Sequence, residues 1–157
     1  MFLLKDMLIL SKETLRRQFL LNLLNIYVFM DSGGRMERGR TAEDIAQEYL
    51  TGIGQVFLAR NWRCRHKELD LIMKSVSNDG TERLHIVEVR SLKEPNLYLP
   101  YESIDRRKQR LIISAASSFI YINKIDYETQ FDIVSVIFKE NSVKLEYFPD
   151  AFAPIWK

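Results

Sequence analysis

Cysteine and histidine are scarce in this sequence. It contains one cysteine, Cys64, and two histidines, His66 and His85, among 157 residues. A single cysteine excludes an intrachain disulfide and a four-cysteine zinc site, and two histidines argue against a histidine-rich metal site. The same scarcity is typical of proteins in reducing compartments, so we expect a cytoplasmic protein.

The sequence also has no large excess of charge of either sign. The chain has 23 Lys and Arg residues against 21 Asp and Glu residues, which gives a net charge of +2. Because residues 1–35 hold five of the basic and three of the acidic residues, residues 36–157 hold 18 of each. No global positive field can attract nucleic acid to this part of the chain, so any such affinity must come from local clusters.

The sequence also has no apolar run long enough to cross a membrane. The run at residues 19–30 has about 12 residues, short of the roughly 20 that a spanning helix needs, and it lacks the pattern of a signal peptide. We interpret residues 1–35 as an extension, either a helix packed on the domain or a partner, or an artefact of start-site choice before Met36. A membrane anchor is disfavoured because the polar face is not strongly basic.

The remainder, residues 36–157, has the periodicity of one α/β domain. The whole chain is 46% hydrophobic and 28% charged, as in ordinary globular proteins. Predicted helices occupy 41–53 and 103–122, and predicted strands occupy 56–64, 69–75, 83–91, 131–138 and 143–148. The Asn-Asp-Gly sequence at 78–80 predicts a hairpin between the second and third strands. The order α-β-β-β-α-β-β indicates a mixed central sheet flanked by helices.

Each predicted helix has one apolar stripe. The first helix, capped by Thr41, has Ala42, Ile45, Ala46, Tyr49, Leu50 and Ile53 at helical spacing. The second has Ile104, Leu111, Ile112, Ala115, Phe119 and Ile122. These stripes are expected to face the sheet, whereas residues 149–157 show no periodicity.

Two carboxylates stand in otherwise apolar predicted strands. Asp70 lies in the strand at 69–75 and Glu88 in the strand at 83–91. An unpaired buried carboxylate is costly, and two of them on neighbouring strands repel each other. A divalent cation relieves this repulsion, and Mg²⁺ is typically held by one or two carboxylates plus waters and phosphate oxygens. An ion-pair network of Glu88 and Arg90 on a solvated sheet face explains the same pattern without a metal.

Two more charged residues favour a site over a solvated network. Glu43 lies in the first turn of the first helix, beside its apolar stripe; its ordinary role there is a favourable charge at a helix N-terminus. Lys108 lies on the core-facing stripe of the second helix, where an ammonium group needs an anionic partner or must reach water along apolar surface. His85 alternates away from Glu88, which indicates a structural role.

Five short motifs carry a resemblance to a known family. They are Gly-Arg-Thr-Ala-Glu at 39–43, Leu-Ala-Arg-Asn-Trp-Arg at 58–63, Glu-Leu-Asp-Leu-Ile at 68–72, Ile-Val-Glu-Val-Arg at 86–90 and Phe-Asp-Ile-Val at 131–134. With the αβββαβ order, they resemble the YraN-like family of predicted nucleases in the restriction-endonuclease-like PD-(D/E)xK superfamily. The resemblance covers about residues 36–138 and excludes the N-terminal extension.

The resemblance implies a metal-dependent nuclease and assigns its ligands. Asp70 and Glu88 would hold Mg²⁺ or Mn²⁺, with the Val89 carbonyl as a third ligand. Glu43 would be the helix carboxylate that some superfamily members add to the site. Glu68 takes the place of a glutamate that accompanies the aspartate in the close family.

One position departs from the superfamily pattern. The lysine that stands two residues after the second acid is Arg90 here. Arginine is always protonated and cannot act as a base, but it can stabilise charge on a transferring phosphate. Lys108 would cover part of the lysine's role.

Basic residues cluster in two runs that flank the candidate metal site. The runs are Arg60, Arg63, Arg65 and Lys67, and Arg106, Arg107, Lys108 and Arg110. One such run is typical of a solvated face, but two of them in a neutral domain predict contacts to DNA phosphates. Trp62 is interpreted as a core or sheet-edge aromatic rather than a base-stacking one. No helix-turn-helix or zinc-finger pattern is present, so sequence-specific binding is not expected.

Three hypotheses stay open at this point. The first is a Mg²⁺- or Mn²⁺-dependent endonuclease that hydrolyses DNA phosphodiester bonds in repair or recombination. The second, motivated by Arg90, is a nuclease-like protein that binds branched or damaged DNA without cutting it. The third is an interaction protein whose residues 1–35 dock a partner or a second copy of the chain, which would give a homodimer.

Overall fold

The computed structural model describes residues 35–93, 104–140 and 142–154, with side chains from Thr41 onward. Helix α1 spans Arg35–Gly52 and helix α2 spans Arg106–Asn123. The strands are β1 (Val56–Cys64), β2 (Lys67–Val76), β3 (Glu82–Lys93), β4 (Glu128–Phe138) and β5 (Val143–Phe152). Neither helix of these ranges is long and apolar enough to cross a membrane.

The five strands form one mixed sheet in the order β1-β2-β3-β4-β5. The pairs β1–β2, β2–β3 and β4–β5 are antiparallel, whereas β3 and β4 are parallel. A parallel pair needs a crossover connection, and α2 supplies it between β3 and β4. The predicted α/β class with a restriction-endonuclease-like αβββαβ core is confirmed.

One helix covers each face of the sheet. On one face, the buried residues of α1 are Ala42, Ile45, Ala46 and Leu50. On the other, the buried residues of α2 are Ile112, Ala115, Ala116 and Phe119. Strand β2 contributes Met73 to the first cluster and Ile72 to the second, because successive side chains of a strand point to opposite faces. Burial on both faces accounts for the nearly continuous apolar runs of the central strands.

Two members of the predicted stripes are exposed, and their placement in the core was wrong. Ile53 is 50% exposed because α1 has ended at Gly52. Ile122 is 62% exposed in the last turn of α2, where it falls to one side of the stripe set by Ile112 and Phe119.

The helix starts also differ from the predicted ones. Helix α1 begins at Arg35 rather than at Thr41, so the predicted boundary between 35 and 36 falls inside a helix. The intervening Met, Glu and Arg residues are good helix formers, and one glycine costs only about 1 kcal/mol. Helix α2 begins later than predicted because Asp105 caps it, with its Oδ1 accepting the Lys108 N–H at 2.7 Å.

Strand β5 continues past its predicted end at 148 to Phe152. Pro149 is tolerated because β5 is an edge strand, where one N–H of each pair faces away from the ladder. Asp150 has a φ of 51°, at the point where the β4–β5 register shifts. Beyond this irregularity, Phe152 packs on Phe131 with ring centroids 5.3 Å apart.

The predicted hairpin between β2 and β3 is confirmed. Gly80 adopts a φ of 83° and its N–H donates to the Ser77 carbonyl at 2.9 Å. Other predictions fall on parts of the chain outside the described residues. These are residues 1–34 of the extension, the loop bracketed by Pro95 and Pro100, Ser103, and Asn141 of the last turn.

Candidate functional site

The candidate site lies where β2 and β3 separate. Their regular pairing ends at Leu71 opposite Val87. One step further along the same register, Asp70 stands opposite Glu88. There the Asp70 Oδ2 accepts the Val89 N–H at 2.8 Å, so a side chain replaces the backbone carbonyl that would continue the ladder. The separation of the strands opens the end of the sheet around the two acids.

Glu88 is a buried carboxylate held by two cations. Only 3% of its side chain is exposed, and the Lys108 Nζ lies 3.0 Å from its Oε1. The Arg90 Nη1 lies 3.6 Å from the same oxygen. Both cations are partly exposed, so they connect the buried acid to the surface. Compensation of this kind is what an ionised carboxylate needs in order to remain buried.

The surroundings of Asp70 make ionisation of its carboxyl group unfavourable. Burial raises the pKa of its carboxyl, and the neighbouring Glu88 raises it further, from the ordinary 3.8 to about 7. The Val89 N–H and Lys108 act in the opposite direction, and Glu43 adds a smaller unfavourable charge. Two full negative charges on Asp70 and Glu88 are therefore unfavourable at neutral pH. A bound cation would relieve the repulsion between them.

The residues present fit a cation that keeps much of its water shell. Within residues 35–93, 104–140 and 142–154, no three His, Cys, Asp or Glu side chains are grouped closely enough to enclose a metal ion. Two neighbouring carboxylates, with water and substrate oxygens completing the shell, are the usual protein contribution to a Mg²⁺ site. Asp70 and Glu88, with the adjacent Val89 carbonyl, match that ligand set and do not match a zinc site.

Glu43 is held beside the pair rather than within it. Its Oε2 accepts hydrogen bonds from the Arg60 Nη2 at 3.0 Å and from the Asn61 Nδ2 at 2.9 Å. Arg60 also donates to the Asp44 Oδ1 at 2.6 Å. Glu43 raises the pKa of Asp70, so its charge is felt at the site, and its direct part in catalysis stays a prediction.

Asn61, which holds Glu43 in place, is a residue of the candidate site that the sequence motifs did not single out. It has a φ of 50° within β1, and the strand changes face at this point. Arg60 is thus directed to α1, while Trp62 packs edge-on against Phe119 of α2 with ring centroids 5.3 Å apart. The available signal was its residue type, because asparagine tolerates left-handed backbone better than most residues. Trp62 is thus partly buried against the core from the edge strand β1, as predicted for a core or sheet-edge aromatic.

Most residues of the first basic run contact other side chains of the protein. Besides Arg60, Arg63 pairs with Glu68 at 3.1 Å and the Lys67 ammonium donates to the Ser114 hydroxyl. Arg63 remains 72% exposed, and Arg65 is exposed at the β1–β2 turn with a φ of 57°. Arg63 and Arg65 are therefore the members of this run placed to meet a solvent-borne anion.

The second basic run surrounds the beginning of α2. Arg106, Arg107 and Arg110 are exposed, while Lys108 turns inward to Glu88. The first turn of α2 contains no acidic residue. Cations placed against the positive end of a helix dipole are unfavourable by themselves, and an anion such as phosphate offsets them. This end of α2 is also the end nearest the acid pair, since Lys108 contacts Glu88.

Asp132 of the fifth motif lies away from the acid pair. It is fully buried on the α1 face, where the Tyr147 hydroxyl donates to its Oδ2 at 2.7 Å. His85 contacts the same oxygen at 2.8 Å. The predicted alternation of His85 away from Glu88 is thereby confirmed.

Comparison with known proteins gives relatives of one family. The sequence profile of the family described as "Uncharacterised protein family UPF0102" matches residues 42–136. A UPF0102 protein of Parabacteroides distasonis is 36% identical over 116 residues, which are 74% of this chain and 92% of that protein. A UPF0102 protein of Bacteroides fragilis is 34% identical over the same shares of both chains. One of Porphyromonas gingivalis is 32% identical over 77% of this chain and 87% of its own length.

Proposed function

Since the chain belongs to the UPF0102 family, the YraN-like group, and places the partly buried Asp70 next to the buried Glu88 and its two cations, we propose that it is a divalent-metal-dependent nuclease acting on DNA. The observation that supports this most directly is the Asp70–Glu88 juxtaposition at the point where β2 and β3 separate. The raised pKa of Asp70 supports the proposal, because a bound cation would relieve both the burial and the repulsion from Glu88 that raise it.

Asp70 and Glu88 are proposed as the carboxylate ligands of Mg²⁺ or Mn²⁺, with the Val89 carbonyl beside them. A divalent ion bound there would polarise the scissile phosphate and lower the pKa of an attacking water. The Val89 N–H fixes the orientation of Asp70. Glu43, held by Arg60 and Asn61, adds negative charge at the edge of the site.

Arg90 and Lys108 are proposed to stabilise the charge that develops on the phosphate. Both reach Glu88 from a partly exposed position, so each can contact a substrate from the solvent side. Arg90 cannot accept a proton from water, so its contribution is electrostatic. Lys108 supplies the ammonium group that the superfamily carries at the position of Arg90.

The exposed arginines are proposed to bind the DNA backbone. Arg63 and Arg65 lie at the β1–β2 turn, and Arg106, Arg107 and Arg110 lie at the start of α2. Contacts of this kind hold phosphates and do not read bases, so binding without sequence preference is expected. We propose a role in DNA repair or recombination in the cytoplasm, a reducing compartment with which the single cysteine agrees.

The test is a cleavage assay on the full chain with labelled linear, flapped and four-way-junction DNA. Each substrate is incubated with Mg²⁺, Mn²⁺ or EDTA. Wild type and the exposed-acid control Asp126→Asn are expected to cut in the presence of metal, and Asp70→Asn is expected to be inactive. Equal cleavage by Asp70→Asn and wild type would overturn the assignment.

A second function is favoured by one observation, the arginine at position 90. If Arg90 cannot support cleavage, the protein would bind branched or damaged DNA without cutting it. Gel-shift binding with no cleavage at any metal concentration, retained in Asp70→Asn, would select this alternative. Restoration of cleavage by Arg90→Lys would show that the arginine is the cause.

A further inference from the structure

A hydrogen-bonded chain of serine, histidine and aspartate lies on the α1 face of the sheet. The Ser75 Oγ is 2.8 Å from the His85 Nε2, and the His85 Nδ1 is 2.8 Å from the Asp132 Oδ2. The three residues come from three neighbouring strands, β2, β3 and β4. Asp70 and Ser75 are five residues apart on β2, about 17 Å along the strand, so this cluster is separate from the acid pair.

The surroundings of Asp132 determine which atoms of the Ser75, His85 and Asp132 side chains carry a proton. Asp132 is fully buried, and burial opposes its ionisation. The hydrogen bonds from His85, the Asp150 N–H, Gln130 and Tyr147 together outweigh this, so the pKa of Asp132 is lowered. An ionised carboxylate only accepts hydrogen bonds, so a neutral His85 must carry its proton on Nδ1. Its Nε2 is then the acceptor for the Ser75 hydroxyl, which is the arrangement of a general base with its nucleophile.

Ser75 lies at an open edge of the sheet. The pairing of β1 with β2 ends at Val56 opposite Lys74, so Ser75 and Val76 have no partner in β1. Ser75 is only partly buried, whereas His85 and Asp132 are 5% and 0% exposed. The nucleophilic group of the hydrogen-bonded series, the Ser75 hydroxyl, is therefore the group that reaches the surface.

The Ser75 hydroxyl lies on the α1 face of the sheet, because Met73, two residues earlier in β2, packs on that face. The exposed side chains of Val56 and Val76 belong to the opposite face, since Val56 pairs with Lys74 and Val76 follows Ser75 directly. The chemistry of the three hydrogen-bonded side chains, which is that of acyl transfer, therefore defines the substrate class.

We propose that Ser75 is the nucleophile of a second site, which hydrolyses small carboxylic esters. Its Oγ forms a bond to the ester carbonyl carbon, and His85 takes the hydroxyl proton and passes it to the departing alkoxide. Water then attacks the acyl-serine, which releases the carboxylic acid and restores Ser75. Asp132 is the positioning residue that sets the tautomer of His85. This replaces the structural role that alternation alone indicated for His85.

The first test uses p-nitrophenyl butyrate and the full chain in EDTA, so that metal-dependent chemistry is absent. Wild type is expected to release p-nitrophenolate faster than buffer, and Ser75→Ala is expected to lose this activity. His85→Gln is expected to lower the rate by about 100-fold or more, the usual contribution of a general base. The matched control is Ser77→Ala, which removes an exposed hydroxyl of the adjacent turn.

The second test does not depend on any variant folding correctly. Wild type is treated with a fluorophosphonate, whose P–F bond breaks as the Ser75 Oγ–P bond forms, and the labelled peptide is identified by mass spectrometry. Modification of Ser75 supports the proposal. Absence of label, label elsewhere, or equal ester hydrolysis by wild type and Ser75→Ala would overturn it. None of these outcomes depends on DNA cleavage.

Discussion

The ammonium of Lys108 lies 3.0 Å from the carboxylate of Glu88, and this contact joins α2 to the centre of the sheet. Glu88 is 3% exposed, so its charge has little access to water. Arg90 approaches the same oxygen from 3.6 Å. Two cations therefore compensate the charge of Glu88, Lys108 from α2 and Arg90 from the same strand, β3.

Removal of the Lys108 charge should destabilise the fold in a way that metal reverses. Lys108→Met leaves Glu88 with Arg90 as its cation, and a loss of about 1–3 kcal/mol is expected because the pair is only partly exposed. Added Mg²⁺ should raise the melting temperature more in Lys108→Met than in wild type. Thermal unfolding with Mg²⁺ and with EDTA measures this. The control is Arg107→Met, an exposed cation one residue away, and an equal response of both variants would contradict the expectation.

Neutralisation of Asp70 should stabilise the metal-free protein. An acid whose folded pKa lies near 7 and whose ordinary value is 3.8 is protonated in the native state at low pH. Native stability is therefore lost as the pH rises through that interval, because the unfolded chain ionises more easily. Asp70→Asn in EDTA is expected to exceed wild type in stability at pH 8, by about 1–2 kcal/mol, and to match it near pH 4. Urea unfolding at both values decides this, and a less stable variant at pH 8 would count against the assignment.

Asp132 should give the opposite pH dependence. Its pKa is lowered, so the ionised form contributes stability that is complete above its ordinary value of 3.8 and is lost as the pH falls below it. Asp132→Asn replaces one of two accepting oxygens by a donor and should cost about 1–3 kcal/mol at pH 7. The difference from wild type should shrink between pH 4 and pH 2.5 in chemical unfolding experiments. A difference that stays constant with pH would show that the charge is unimportant.

The arginines at the start of α2 should contribute to DNA affinity through phosphate contacts. Arg106→Gln combined with Arg107→Gln should weaken binding equally for unrelated DNA sequences. It should also reduce the slope of log K against log salt by about 2, close to one unit for each lost contact. Fluorescence anisotropy across a salt series measures both. Arg83→Gln, near the beginning of β3 and paired with Glu128, is the control. An unchanged slope in the double variant would exclude these arginines from the binding surface.

Much of the fold follows from local pattern. The stripe of α1, the strands around Asp70 and Glu88, and the Gly80 turn all arise from periodicity or from a residue with a special backbone preference, which neighbouring residues determine. The inward direction of Lys108 follows in the same way from its helical spacing. The acids were also predictable as neighbours, because a short hairpin fixes the register between its strands.

The tertiary structure decided the contacts that no local pattern encodes. The sequence predicts that Arg60 binds DNA. In the structure, the change of face at Asn61 directs Arg60 to Glu43 and Asp44. Pairing between β3 and β4 is set across a helical crossover, so the sequence could not reveal that His85 meets Asp132. Likewise, β5 passes Pro149 only because it forms an edge. Sequence by itself thus determined the elements and the acid pair, since these depend on neighbours along the chain. Packing of distant strands decided which charges are compensated and which side chains form a second cluster, because only the folded sheet brings those groups within hydrogen-bonding distance.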